Sequence, residues 1–209
     1  LHLSLRRQRQ MCIRDRYAGL FATDWSWAAL WMDFNNDGNK DLFVSNGIPK
    51  RMNDIDYINF VSGDEVQQKL RTDGIKEKDL ALIEKFPEIK LPNQFFVNKG
   101  DLKFDNVSKE VQKNPLSFSN GAVYADLDND GDLDIVVNNI NDPALIYENN
   151  SVNKKSKTDF AKIELKGFPS NEQAIGAKLI LFEKDKIYTY EKQPVHGFQS
   201  SMNVPLHVG

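Results

Sequence analysis

Short apolar runs, each bounded by clusters of Asp, Asn and Gly, set the rhythm of most of this chain. Leu42-Phe43-Val44 and Ile135-Val136-Val137 are β-rich stretches entered straight from acidic loops, and they read as strands. Between Gly47 and Asn93 the periodicity changes from two to helical. Asp54 is placed to cap a helix burying Tyr57, Phe60 and Val61, and Asp64 a second one with Val66 and Leu70. Leu82, Ile83 and Phe86 share a third face that stops at Pro87. Such short helices need tertiary support, so packing on the β-array is the first expectation. The second is a partner surface: extra segments on repeat scaffolds often map to the binding face, which would make exposed members of Tyr57, Phe60 and Phe86 part of a ligand-facing side. The polar stretch 151–158 breaks the pattern and reads as a linker.

The strands belong to a repeat. Residues 25–47 align without gaps to 118–140, so that Trp25 faces Phe118, Trp31 faces Tyr124 and Asn46 faces Asn139. The offset is 93 residues. A second landmark, Phe95-Phe96-Val97-Asn98 against Ile146-Tyr147-Glu148-Asn149, has an offset of 51. The difference of 42 residues must be inserted between Gly47 and Asn93, in one repeat and not in the other. A period near 50 with several short strands per unit points to a propeller or a similar array of small sheets.

At the heart of each repeat lies a nonapeptide, Asp33 to Asp41 in the first and Asp126 to Asp134 in the second. Asp33, Asn35, Asp37 and Asp41, and likewise Asp126, Asp128, Asp130 and Asp134, stand at positions 1, 3, 5 and 9, where oxygen side chains can converge on one hard cation. Asn39 and Asp132 stand at position 7, which can offer its backbone carbonyl, and Gly38 and Gly131 at position 6 allow the sharp turn. EF-hand loops start in the same way but need a bidentate Glu at position 12, where this chain has Val44 and Val137. Both copies therefore read as calcium loops that enter strands, giving two Ca2+ sites. The alternative is an Asx-rich turn that binds nothing, since Asp, Asn and Gly are ordinary turn residues.

This pattern of small residues, an aromatic, D-x-[DN]-x-D-G-x-x-D and an apolar strand resembles the FG-GAP/VCBS repeat, the calcium-loop blade of integrin-type β-propellers. The Phe-Gly and Gly-Ala-Pro signatures of that family are degraded here to Phe118-Ser119-Asn120-Gly121-Ala122. The resemblance implies a calcium ion that ties a loop between blade strands, away from the ligand-binding surface, and is structural. Further on, Phe160 to Gly167, Ser170-Asn171, Ala174-Ile175-Gly176-Ala177-Lys178, His196-Gly197-Phe198-Gln199-Ser200-Ser201 and Leu206-His207-Val208-Gly209 resemble the ASPIC/UnbV module. That module follows such repeats in cartilage acidic protein-like secreted proteins. Sequences of the family continue past this point, so the chain is expected to stop inside the module.

Composition changes the picture mainly by exclusion. With 40% hydrophobic and 27% charged residues the chain can bury a core. No run approaches the 18 apolar residues of a membrane span. The formal net charge of -3 leaves no basic stripe for nucleic acid once residues 1–16 are set aside. That segment holds five Arg and the single Cys, resembles translated sequencing-adapter read-through, and is expected to be non-native. The rest carries no Cys-based metal, redox or disulfide chemistry. There is no G-x-S-x-G elbow, Walker loop or H-E-x-x-H. His196 and His207 without a third ligand read as surface or turn residues rather than a metal pair. Trp25 and Trp31, by their alignment, are expected in the blade core. Asn106-Val-Ser108 and Asn149-Asn-Ser151 fit the glycosylation pattern.

The expected architecture is mainly β: a partial β-propeller over residues 17–150 with a helical insertion at 48–93, a linker at 151–158, and a small β module at 159–209. The expected function is a non-enzymatic extracellular or cell-surface calcium-binding repeat protein that mediates adhesion to a protein or glycan ligand. The alternative is the propeller scaffold of a secreted carbohydrate-processing enzyme whose catalytic part lies outside the chain.

Overall fold

A computed structural model describes residues 16–50, 62, 87–151, 160–184 and 186–209. The three helices expected between Asp54 and Phe86, most of the linker and nearly all of the 1–16 segment lie outside the described residues. What is described is mainly β. Strands β1 (Ser26–Met32), β2 (Asp41–Asn46), β3 (Gln94–Asn98) and β4 (Phe104–Asn106) form one antiparallel sheet in sequence order. Strands β5 (Ser119–Ala125), β6 (Asp134–Asn139) and β7 (Leu145–Tyr147) form a second, also in sequence order. Neither sheet closes on itself.

The repeat inferred from the sequence is present in β1–β3 and β5–β7, with β4 added to the first sheet alone. Leu42 pairs with Phe96, and Ile135, 93 residues on, pairs with Tyr147, 51 residues on. Even the irregularity repeats: the register shifts between Ser26 and Ala29 in β1 and between Ser119 and Ala122 in β5. A bulge kept in both copies is a built feature that bends the first strand of each sheet.

Alternation explains the core. In β1, Ala28, Leu30 and Met32 point inward, while Ala29 and Trp31 point out. These inward residues join Phe43 and Phe95 from the first sheet, and Ala122, Ile135, Val137 and Tyr147 from the second, in one shared cluster. Phe43 is fully buried, with Phe95 edge-on at 5.0 Å between ring centroids; removing such a side chain from water is worth about 2 kcal/mol. The central strand β2 is buried on both faces, because Leu42 and Val44 meet Phe96, Leu20 and Phe104 behind the sheet. Trp31 does not enter the core as its alignment suggested: it is 47% exposed and meets Phe104 edge-on. It shares the outer parity of β1, and alternation overrides the alignment with half-buried Tyr124.

The C-terminal residues form two small ribbons. Strand β8 (Ala161–Ile163) pairs with β11 (Leu206–Val208), and β9 (Lys178–Glu183) forms a hairpin with β10 (Lys186–Glu191). Two-stranded ribbons are marginal alone, and these lean on the repeats. The backbone N–H of Ala122 donates to Ser200 Oγ (3.0 Å) and that of Tyr124 to Met202 Sδ (3.4 Å). Residues 200–202 thereby cover the free edge of β5, which would otherwise present unpaired donors. Phe198 lies on Trp27, with centroids 4.4 Å apart, and Trp27 Nε1 donates to the Gly47 carbonyl (2.6 Å).

Candidate metal centres

Each acidic loop, Asp33–Asp41 (loop 1) and Asp126–Asp134 (loop 2), connects the first two strands of its sheet, and the two share one scaffold. The fourth residue takes a left-handed conformation in both, Asn36 at φ 54° and Asn129 at φ 63°, followed two residues on by Gly38 at 81° and Gly131 at 101°. Asn and Gly are the residues that accept such angles at least cost. Side-chain oxygens at positions 3 and 5 accept the backbone N–H two residues on, Asn35 from Asp37 (3.1 Å) and Asp37 from Asn39 (2.8 Å). Asp128 and Asp130 do the same for Asp130 and Asp132, at 3.1 Å each.

Position 9 has a role that spacing alone did not reveal. Asp41 Oδ2 accepts the N–H of Phe34 at the loop start (3.2 Å), and its Oδ1 accepts that of Asn98 at the end of β3 (2.8 Å). Asp134 repeats both bonds, with Leu127 (2.9 Å) and Asn149 (2.8 Å). The Asn answers: Asn98 Nδ2 donates to the Lys40 carbonyl (3.0 Å) and Asn149 Nδ2 to that of Leu133 (3.2 Å). The buried carboxylate thus clamps the loop to the third strand of its sheet. Asn98 and Asn149 were visible in the sequence as matched positions, but nothing tied them to the loops. Because Asn149 Nδ2 also donates to the Phe34 carbonyl (2.6 Å), this side chain is engaged inside the fold.

The charge-bearing ends differ. In loop 2, Asp126, Asp128 and Asp130 each offer an oxygen, all within 4.8 Å of one another. Oxygens that ligate one calcium ion at about 2.3–2.6 Å stand at most about 5.2 Å apart, so this set fits a hard divalent cation. Asp126 is nearly buried, with a side chain 4% exposed, and its Oδ1 has no hydrogen-bond partner. Its Oδ2 meets the ammonium of Lys162 on β8. Asp132 is buried and Asp134 serves the clamp.

In loop 1, Asp33 and Asp37 are satisfied within the loop. Asp33 Oδ1 accepts the N–H of Asp37 (3.1 Å), its Oδ2 accepts that of Gly38 (2.8 Å), and Asn35 Nδ2 donates to Asp37 Oδ2 (3.0 Å). Burial pushes the Asp33 carboxyl above its ordinary value against those backbone donors. Burial likewise pushes Asp41 up to about 7, opposed by the Asn98 and Phe34 donors and reinforced by the charges of Asp33 and Asp37. Carboxylates held this far from water call for a counter-charge.

The loops touch each other and the C-terminal ribbon. Asn36 Nδ2 donates to the Gly131 carbonyl (3.1 Å), and Asn36 Oδ1 pairs with His207 Nε2 (2.8 Å). His207 stacks on Phe160 at 5.7 Å. Burial lowers its pKa, with Asp126 opposing, so the neutral ring donates from Nε2. Phe160 lies so close over Gly131 that a Cβ there would enter the ring. Lys40 of loop 1 sits over the Tyr190 ring at 4.9 Å. His196 packs edge-on to Tyr124 at 5.8 Å, apart from the acidic cluster. Among the described residues, the one cluster of potential protein ligands is Asp126, Asp128 and Asp130, and no helix is long and apolar enough to cross a membrane.

Residues 167–209 match the family described as ASPIC and UnbV. No FG-GAP or VCBS repeat match accompanies it over the two sheets. No match was found among curated proteins.

Proposed function

We propose that both acidic loops are calcium sites, that the two sheets are FG-GAP/VCBS-type blades of a β-propeller, and that the chain is part of a non-enzymatic extracellular or cell-surface binding protein with a protein or glycan ligand. The observation that carries this reading is the duplication of a whole device. Two loops 93 residues apart keep the same left-handed residues, the same position-9 clamp and acids at positions 1, 5 and 9, and in one of them three carboxylates converge within the span of a single ion. An Asx-rich turn needs neither five acids nor a buried clamp. The metal's part is structural: bound at Asp33, Asn35, Asp37, Asn39 and Asp41, or at Asp126, Asp128, Asp130, Asp132 and Asp134, a calcium ion tied to several of these oxygens at once fixes the loop between its strands. Such carboxylates are held ionised and are poor proton donors, which speaks for a scaffold rather than a reaction centre.

Calcium titration by calorimetry, paired with thermal melts in calcium and in chelator, tests the reading. With affinities typical of extracellular modules, millimolar calcium adds roughly 0.4–1.4 kcal/mol per site by mass action. Asp130→Ala removes the loop 2 increment and Asp37→Ala that of loop 1. A melt unchanged by calcium refutes the assignment.

A further inference from the structure

Among the described residues, loop 2 meets a cation that loop 1 does not. The Lys162 ammonium reaches from β8, in the C-terminal part of the chain, to Asp126 Oδ2, and the carboxylate it meets is 4% exposed while Lys162 itself is about one-third exposed. The other oxygen of Asp126 is buried without a hydrogen-bond partner, and the Asp128 and Asp130 carboxylates stand within 4.8 Å. Loop 1 meets the C-terminal ribbon differently: through neutral His207 on Asn36, and through Lys40, which donates outward to the Thr189 carbonyl (3.4 Å). Among the described residues no lysine sits on the Asp33 carboxylate, whose oxygens accept backbone N–H groups.

We infer that Lys162 is a built-in competitor for the loop 2 cation site, so that calcium loading of loop 2 and the Lys162–Asp126 contact exclude each other and couple the metal to the seating of the β8–β11 ribbon. This rests on the calcium reading of loop 2. The physics is exchange of one cation for another. An ammonium and a divalent ion on the same carboxylate would lie about 4 Å apart, where like charges in a partly buried site repel by many times the thermal energy. Calcium can take Asp126 only by displacing Lys162, and in the metal-free chain Lys162 gives Asp126 the counter-charge it needs. The ribbon remains attached through Phe160 over Gly131 and His207 on Asn36, so the coupling loosens β8 without releasing the module. Loop 1 lacks the competitor and stays independent of Lys162.

The test is calcium calorimetry on the 209-residue chain, its Lys162→Gln and Lys162→Arg variants, and each of these with loop 1 silenced by Asp37→Ala. A charge-assisted contact to a buried carboxylate is worth tenfold or more in an equilibrium constant. Lys162→Gln should therefore tighten loop 2 by roughly tenfold, Lys162→Arg should leave it near wild type, and loop 1, read in an Asp130→Ala background, should not change. Hydrogen exchange supplies the second readout: calcium should speed amide exchange at 161–163 in the wild type and have no such effect in Lys162→Gln, where exchange is already fast. If loop 2 binds calcium with equal affinity in the wild type and in Lys162→Gln, the competition is refuted while the calcium site stands. If Lys162→Gln weakens loop 2, Lys162 supports rather than opposes the metal, and the inference fails. If no chain binds calcium at either loop, the calcium reading itself falls and takes this inference with it.

Discussion

Loop 1 and loop 2 lay the same nine positions along the same backbone path, yet one carries three carboxylates and closes on its own N–H groups, while the other carries five and reaches across to a lysine. The shared part is the scaffold: left-handed Asn, left-handed Gly, and a position-9 acid clamped to the third strand. The divergent part is how charge is balanced. A repeat can keep its geometry through backbone requirements that only Asn, Gly and a clamping acid meet, while its electrostatics drift according to what packs beside each copy. Loop 1 has the neutral His207 as neighbour and loop 2 has Lys162.

The comparison is broken most directly at position 9. Asp41→Ala and Asp134→Ala each remove two bonds to backbone donors and leave those donors unmet, and each should cost about 2–4 kcal/mol in urea denaturation without calcium. Asn at either position keeps one acceptor and should cost roughly half as much. Equal losses at the two sites make the clamp a property of the repeat. A loss confined to one site would mean that the second loop is held by its neighbours instead.

Much of this was legible in the sequence, and the reasons for the gaps are physical. The correspondence between the two sheets followed from two offsets, because a one-residue slip of either copy would turn its core face outward. The convergence of Asp126, Asp128 and Asp130 was legible because alternate positions around a tight turn point their side chains to one side. Trp31 lies outside the core because the alternation of Ala28, Leu30 and Met32 sets its face, which an alignment with Tyr124 does not encode. Lys162 left no local signal: its contact with Asp126 depends on how the C-terminal ribbon seats on the repeats, and no spacing within either segment encodes that. The Asn98 and Asn149 contacts sat between these cases, visible as repeated residues and silent as to partner.

A smaller effect separates the calcium responses by pH. Burial raises Asp41 to about 7, above its value in an unfolded chain, so the metal-free fold takes up a proton that the unfolded chain does not. Its contribution to stability is fully present below the ordinary carboxylate range and is lost as pH rises through about 7. Calcium requires the ionised carboxylate, so its increment at loop 1 should be largest above pH 7 and shrink below it. Melts of the Asp130→Ala chain, where loop 1 is the responding site, should show a larger calcium shift at pH 8 than at pH 6. A calcium shift that does not vary across this range would remove Asp41 from the ligand set.

The smallest expected difference compares the two aromatic positions that the repeat aligns. Tyr124 is half-buried beneath the C-terminal residues, with His196 against its ring and its N–H on Met202. Trp31 has the same place in its own sheet but is 47% exposed, with Phe104 edge-on at 5.8 Å. Tyr124→Ala should therefore cost about 2 kcal/mol, through lost packing under the ribbon. Trp31→Ala should cost about 0.5–1 kcal/mol, the worth of one edge-to-face pair at a partly wet site. Thermal melts of the two variants in the same buffer measure the gap. Should Trp31→Ala prove as damaging as Tyr124→Ala, Trp31 must carry packing beyond its pair with Phe104, and the two repeats are more alike on their outer faces than their contacts imply.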